Sequence, residues 1–248
     1  MSNRRTTPLE PSTIESHECT TDVRLGKLSL VPFFRHLDKQ SLQHINTLCS
    51  ARHFKSDNLI YQQEEQATYL RIVVYGVVRL LHHTEEGNDI LIDLLQPGEY
   101  YGTLPVLGEE HYSESAYAHT DCCVLTIDEK SFTIILREYP GVAVRLIGIN
   151  AERLKKARET IRHLATSPVE QRIASLLLTL AEKFGEYKKS ETLIQLPLSG
   201  KHLADSTGTS TETVSRIMSR FQDKKFIKTG RKWVSIIDRE ALKRISEN

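Results

Sequence analysis

The sequence predicts an α+β protein: an N-terminal antiparallel sheet module, a long helix, and a C-terminal module of short helices with a hairpin. Three patterns predict this order. Short apolar runs separated by turn residues recur from residue 58 to 127, which is typical of an antiparallel sandwich or barrel. A heptad pattern follows over 140–166, and two short amphipathic helices surround Gly208. The 248 residues suffice for two modules with separate cores.

Composition divides the chain into four predicted segments. The N-terminal residues are polar, include Pro8 and Pro11, and predict a flexible tail. The predicted boundaries are 1–24 for the tail, 25–139 for the sheet module, 140–166 for the long helix with its hinge, and 167–248 for the C-terminal module. The predicted strands cover residues 58–61, 69–75, 77–82, 89–95, 115–119 and 122–127.

Capping residues mark two of the predicted helices. Asp38 is a plausible cap for a helix that precedes the strands. After the hinge, Ser167 can cap the next helix, with Pro168 at its first position. The polar stretch 186–191 predicts a loop, and 193–196 a short strand.

The long helix carries an apolar seam whose steps alternate between four and three residues. Its members are Ala143, Ile147, Asn150, Leu154, Ala157, Ile161 and Leu164. This heptad spacing predicts a two-stranded parallel coiled coil and therefore a homodimer, in which Asn150 would fix the register. The alternative is a helix that packs on its own domain.

The stretch 198–228 has the pattern of a helix-turn-helix. Leu203 and Ala204 are the apolar positions of the first helix, and Gly208 interrupts the pattern. The second helix has an apolar face with i, i+3, i+4, i+7 spacing, formed by Val214, Ile217, Met218 and Phe221. Such a pair places its second helix in a DNA major groove, although an ordinary helical hairpin is the alternative.

The other face of the second helix suits base recognition. Glu212, Ser215 and Arg216 stand at i, i+3 and i+4 near the N-terminus of that helix. Arg can bind guanine bidentately, Glu can accept from cytosine N4, and Ser can serve either base. Glu212 has a competing role, because Thr209-x-x-Glu212 also matches a capping box.

Charge is unevenly distributed, although the formal net charge is only +1. Residues 52–128 contain 13 Asp and Glu against 4 Lys and Arg, a formal charge of −9. Residues 198–248 contain 11 Lys and Arg against 6 Asp and Glu, a formal charge of +5. The C-terminal module is therefore predicted to contact phosphate. Candidate phosphate contacts are Lys201, Thr211, Thr213, Arg220 and Lys224, together with Lys228, Arg231 and Lys232 of a predicted wing hairpin.

The run TGTSTETVSRIMSRFQDKKFIK resembles the DNA-binding segment of the Crp/Fnr superfamily of bacterial transcription regulators. Its Glu-x-x-Ser-Arg pattern resembles the Fnr branch, which implies an inverted repeat of TTGAT-type half-sites. The stretches 76–80 and 95–102 resemble the two Gly-marked strand junctions of a cyclic-nucleotide-binding β-roll. The resemblance further implies dimerisation through the long helix, and RNA polymerase as a partner of an activator. The sequence itself leaves activation and repression open.

The same resemblance implies an effector pocket in the β-roll, with Gly102, Thr103, Leu104, Glu114 and Ser115 at the matching positions. Cyclic-nucleotide binding in the family uses a Glu for the ribose and an Arg for the phosphate. Here Thr103 stands at the Glu position and Glu114 at the Arg position. A carboxylate repels a phosphate, and the bidentate contact is lost, so cyclic AMP is not expected.

No cofactor is evident from the cysteines or histidines. An Fnr-type iron–sulfur cluster needs four thiolates, but the N-terminal region supplies Cys19 alone. Cys19, Cys49, Cys122 and Cys123 form no Cys-x-x-Cys pair, so neither a disulfide framework nor a zinc site is indicated. Strand alternation predicts that one of Cys122 and Cys123 packs in the core and the other faces outward, as inert residues or as a redox sensor. Haem is an open alternative, with candidate ligands His82, His83, His111 and His119.

Other classes of protein are disfavoured. The sequence has no apolar run of 18 residues and no apolar core in its N-terminal stretch, so a cytoplasmic protein without a membrane partner is expected. It has no Ser/His/Asp arrangement, His-x-x-x-His motif or phosphate-cradling loop, so an enzyme is not expected. A nucleotide-binding regulatory module that does not touch DNA is the alternative of another class.

Overall fold

The computed structural model describes residues 19–85, 89–188 and 190–247. The described chain divides into two compact units, and the division falls between residues 156 and 157, within one long helix. None of the helices in these ranges combines the length and apolar character that crossing a bilayer requires.

Along the chain, the described part of the N-terminal unit has two helices, then eight strands, then two more helices. Its helices are α1 (Thr21–Leu28), α2 (Lys39–Thr47), α3 (Glu129–Glu138) and α4 (Pro140–Thr166), of which α4 continues past the division. Its strands are β1 (Ser50–Phe54), β2 (Leu59–Tyr61), β3 (Tyr69–Tyr75), β4 (Val78–His83), β5 (Asp89–Leu95), β6 (Tyr100–Tyr101), β7 (Ser115–Ala118) and β8 (Cys122–Asp128).

These strands form two four-stranded antiparallel sheets, ordered β1-β8-β3-β6 and β2-β7-β4-β5. One core lies between the sheets, because side chains of both contribute to it. Its members include Tyr61, Val73, Val78, Leu80, Leu95, Tyr101, Ala116 and Val124. We call this space the roll interior.

A second core lies on the other face of the first sheet, where the helices pack. Leu70 and Ile72 of β3 pair with Ile127 and Leu125 of β8 in the ladder, and all four side chains face the helices. The helices contribute Leu28, Leu42, Ile45, Phe132, Ile135, Val142 and Leu146, and the turn between α1 and α2 contributes Phe33 and Phe34. Because the sheet is covered on both faces, β3 and β8 are almost continuously apolar.

The C-terminal unit is a helical module with a third four-stranded sheet, ordered β11-β12-β10-β9. Its elements are α5 (Val169–Phe184), β9 (Gly185–Lys188), β10 (Glu191–Ile194), α6 (Gly200–Thr207), α7 (Thr211–Asp223), β11 (Ile227–Gly230), β12 (Trp233–Ile236) and α8 (Arg239–Glu247). The hairpin β11–β12 confirms the predicted wing, with Arg231 and Lys232 in its turn. Asp238 accepts from the Ala241 N–H at 2.8 Å at the start of α8.

The α+β class is confirmed, but several local predictions were wrong. Helix α1 begins at Thr21, inside the segment predicted as a tail, whereas residues 1–18 lie outside the described ranges. Strand β1 was missed because the edge sequence SARHF is mostly exposed and polar. Strand β9 stands where a loop was predicted, paired with β10. Pro168, not Ser167, occupies the cap position of α5.

A disulfide between Cys19 and Cys123 corrects the prediction drawn from cysteine spacing. The two residues are 104 positions apart, so no local motif could indicate the bond. Cys122 and Cys123 do lie on opposite faces of β8, but neither faces solvent. Cys123 belongs to the core beneath the helices and Cys122 to the roll interior. The thiols of Cys49 and Cys122 are free.

Gly76 at the β3–β4 junction should not tolerate a side chain. Its φ is +78°, and a Cβ there would lie 2.2 Å from the Asp121 carbonyl oxygen. We expect Gly76→Ala to lower the free energy of unfolding in urea by about 2 kcal/mol or more. The control is Gly26→Ala in α1, where a Cβ meets no atom within 4 Å. It should stabilise by about 0.5–1 kcal/mol, and equal effects of the two variants would contradict this account.

Candidate functional site

Helix α6 begins at a side-chain cap and ends in a tight turn that leads to α7. Ser199 Oγ caps α6 by accepting from the His202 N–H at 3.1 Å. Gly208 adopts the left-handed conformation with φ 58° and ψ 48°, which ends the helix without a Cβ clash. The Thr209 N–H then donates to the Ala204 carbonyl at 3.1 Å. The chain therefore passes from the end of α6 to the start of α7 through only Gly208, Thr209 and Ser210.

Helix α7 starts one residue later than the capping-box alternative requires. Its cap is Ser210, whose Oγ accepts from the Thr213 N–H at 3.2 Å. Glu212 is therefore the second helical residue and not the third, the position from which a capping-box carboxylate reaches back. The alternative role for Glu212 was wrong.

The faces of α7 are separated as the periodicity predicts. Val214, Ile217 and Phe221 are buried, and Met218 is partly buried. Glu212, Ser215 and Arg216 all lie on the exposed face. The structure therefore brings the three predicted base-reading residues together on one accessible surface, in the first turn and a half of the helix.

Some of the predicted phosphate contacts already have acidic partners. Arg220 Nη2 lies 2.9 Å from Glu170 Oε2, and Lys228 Nζ lies 2.6 Å from Glu191 Oε1. Exposed ion pairs contribute only about 0–1 kcal/mol, so exchange for a phosphate remains energetically accessible. The other candidates differ in exposure: Lys201, Thr211, Lys224, Arg231 and Lys232 are exposed, and Thr213 is partly buried.

The predicted effector positions differ in burial and in their hydrogen-bond partners. Glu114 accepts from Tyr61 Oη at 3.4 Å and from the Ser113 hydroxyl. Ser115 Oγ accepts from the Gln63 N–H at 2.8 Å. Gly102 and Thr103 are partly buried, whereas Leu104 belongs to the core beneath the helices.

Sequence reasoning missed Arg71, a buried cation of the roll interior. Its Nη1 donates to Tyr112 Oη at 2.8 Å and to the Tyr69 carbonyl at 3.0 Å. The guanidinium carbon lies 4.6 Å from the ring centroid of Tyr61 and 5.2 Å from that of Tyr112, a cation–π arrangement. Within the described ranges no carboxylate forms an ion pair with it. The available signal was a single Arg within the apolar run YLRIVVY.

The phenol oxygen of Tyr112 is the focus of this polar cluster. It accepts from the backbone N–H groups of Thr68 and Tyr69, each at 3.0 Å, as well as from Arg71. Burial raises the pKa of Tyr112, but these hydrogen bonds and the nearby guanidinium outweigh it, so the pKa falls below its usual value. The neighbouring hydroxyl of Tyr101 is buried and has no hydrogen-bond partner among the described residues. The roll interior therefore combines positive charge with aromatic surface.

Together, the two units define a class: a DNA-binding regulator that couples a β-roll to a winged helix-turn-helix. Comparison with known families agrees, since the Crp-like helix-turn-helix domain matches residues 171–245 and the cyclic nucleotide-binding domain matches residues 51–139. The chain belongs to the Crp/Fnr superfamily of transcription regulators.

Individual relatives cover most of the chain. The cAMP-activated global transcriptional regulator CRP of Salmonella typhimurium is 30% identical over 181 residues, 72% of this chain and 85% of that protein. The probable transcriptional regulator flp of Lacticaseibacillus casei is 25% identical over 92% of this chain and 97% of its own length. The solved structure of FixK2 from Bradyrhizobium japonicum shares the fold, with a TM-score of 0.70, 23% identity, and coverage of 79% of this chain and 96% of that one.

We expect that this protein does not bind cyclic AMP, although the CRP relative is described as cAMP-activated. Glu114 would place a carboxylate against the phosphate, and Thr103 lacks the carboxylate that would accept strongly from the ribose hydroxyl. Isothermal titration should show no saturable binding up to about 1 mM, that is, affinity weaker than about −4 kcal/mol. The double variant Thr103→Glu/Glu114→Arg supplies both missing groups and should gain affinity. Micromolar binding by the unmodified protein would contradict the expectation.

Proposed function

We propose that the protein is a homodimeric, sequence-specific transcription regulator that binds an inverted repeat of TTGAT-type half-sites. The observation that carries this proposal is the joint exposure of Glu212, Ser215 and Arg216 on α7. Their spacing is that of the Fnr branch, and each side chain can bond to a base edge. In a dimer the two recognition helices would enter major grooves about 34 Å apart, which sets the half-site spacing.

The dimer proposal is supported by the exposure of the α4 seam. Ile147, Leu154 and Ile161 are 72%, 54% and 67% exposed in the single chain, and Asn150 and Ala157 are exposed as well. Ala143 is partly buried, and the side chain of Leu164 lies outside the described ones. A row of large apolar side chains left in water at heptad spacing favours a second copy of the same helix.

Helix α4 also packs on its own domain, which was the alternative to dimerisation, but it does so through a different face from the seam. Val142 and Leu146 are buried in the core beneath the helices, and Ile149 packs against it. Arg153 also contacts the sheet, because its guanidinium carbon lies 4.0 Å from the ring centroid of Tyr100. The helix can therefore hold its own domain and a partner at the same time.

The effector is proposed to act from the roll interior through β6. Tyr101 of β6 faces the interior, and its ring stacks with Tyr61 at 6.1 Å between centroids. The adjacent Tyr100 faces the other way, toward Arg153 of α4. A change in the interior would shift the balance between two dimer geometries, as a ligand shifts a pre-existing equilibrium. RNA polymerase is the further partner expected for an activator of this family.

Replacing Arg216 with Ala tests base reading. The variant should lose about 1–3 kcal/mol of binding free energy on a duplex with the inverted TTGAT repeat and almost none on random duplexes. Fluorescence anisotropy at fixed salt measures both. The control Arg231→Ala in the wing should weaken both duplexes alike and lower the slope of log K against log salt by about one. An equal loss on both duplexes for Arg216→Ala would rule out its base-reading role.

Replacing Leu154 with Asp tests the dimer. A buried carboxylate at the centre of an apolar seam is strongly unfavourable, so sedimentation equilibrium should show a monomer. The variant should also lose the preference for two half-sites over one. Glu152→Arg, an exposed change two residues away on the same helix, should remain dimeric. A dimeric Leu154→Asp protein would exclude the seam as the interface.

A further inference from the structure

Two cysteines and a histidine converge at the edge of the first sheet. His53 of β1 pairs directly with Cys123 of β8 in the antiparallel ladder, so their side chains share a face. Cys19, just before α1, contacts this pair from the N-terminal side. The two sulfur atoms and a His53 ring nitrogen all lie within 4.8 Å of one another. Cys19 and Cys123 are buried, and His53 is exposed.

We propose that these three residues form a metal site when the Cys19–Cys123 disulfide is reduced. The ligand set, two thiolates and one imidazole, is typical of Zn²⁺ and related borderline-soft divalent cations. Thiolate and imidazole ligands around a tetrahedral ion are about 3.5–3.8 Å apart, given bond lengths of about 2.0–2.3 Å. The observed grouping therefore needs only small side-chain adjustments once the sulfur atoms separate.

The charges and exposure suit a bound divalent ion. Two thiolates neutralise the double positive charge, so the buried part of the site carries no net charge. Because His53 is exposed, solvent can reach the group from the side of its imidazole. The other two cysteines are not part of this group: Cys122 faces the roll interior, on the opposite side of β8 from Cys123, and Cys49 Sγ donates to the Ile45 carbonyl.

Oxidation and metal binding exclude each other at this site. A dithiol reductant transfers two electrons and two protons, so the S–S bond breaks, two thiols form and the reductant becomes a disulfide. The metal then displaces both thiol protons, which are released to solvent. The oxidised protein has no thiolate to offer at these positions. This inference concerns the N-terminal unit and does not depend on the proposed operator.

Cobalt(II) under anaerobic conditions is the direct probe. The protein reduced with a dithiol and freed of reductant should bind one Co²⁺ per chain, with a thiolate-to-cobalt charge-transfer band that Zn²⁺ abolishes. The disulfide form should show no band until it is reduced. Absence of the band in the reduced protein would overturn the proposal.

Five variants assign the ligands. Cys19→Ser and Cys123→Ser should lose the band, whereas the matched controls Cys49→Ser and Cys122→Ser should keep it. His53→Gln is an exposed change that leaves both buried cysteines in place, so it remains informative if a cysteine variant fails to fold. It should weaken Co²⁺ binding by more than the roughly 10–100-fold that loss of an outer hydrogen bond costs. A band that persists in Cys19→Ser, or unchanged affinity in His53→Gln, would contradict the assignment.

Discussion

The two-sided burial of β8 is the constraint on which the N-terminal unit depends. Cys123, Leu125 and Ile127 face the helices, while Cys122 and Val124 face the roll interior. Because side chains alternate along a strand, a slip of one residue would exchange the two sets and mismatch both cores. The register with β3 therefore fixes at once how the sheets close and where α1, α3 and the first turns of α4 pack.

Sequence reasoning succeeded where burial imposes a pattern. The bounds of β3 and β5 were predicted correctly because each strand has a buried face and is therefore an apolar run in the sequence. Helix α7 was recognised by its single apolar stripe. Strand β1 escaped notice because an edge strand with exposed polar residues carries no such pattern. The disulfide between Cys19 and Cys123 could not be predicted either, since only the fold brings together residues so far apart in sequence.

In the candidate sites, too, local sequence patterns could be predicted whereas tertiary contacts could not. The predicted base-reading face of α7 is local, so the spacing of Glu212, Ser215 and Arg216 was enough to place these residues on one exposed face. The state of the surrounding cations is not local, because Glu170 and Glu191, which pair with Arg220 and Lys228, come from α5 and β10. A basic composition indicates phosphate binding in general, but tertiary contacts decide which side chains must first leave an acidic partner.

The roll interior illustrates how a shared fold can carry different chemistry. Glu114, which we predict to stand at the position of the phosphate-binding arginine of cyclic-nucleotide binders, accepts from Tyr61. The cation of this interior comes instead from Arg71 on β3, held by Tyr112 and Tyr69. Moving the positive charge from a loop to the middle of a sheet changes where an anionic group could bind. Tyr101 lies close to Arg71, and Tyr100, the preceding residue of β6, contacts Arg153, so β6 connects that charge with the helix that carries the exposed seam.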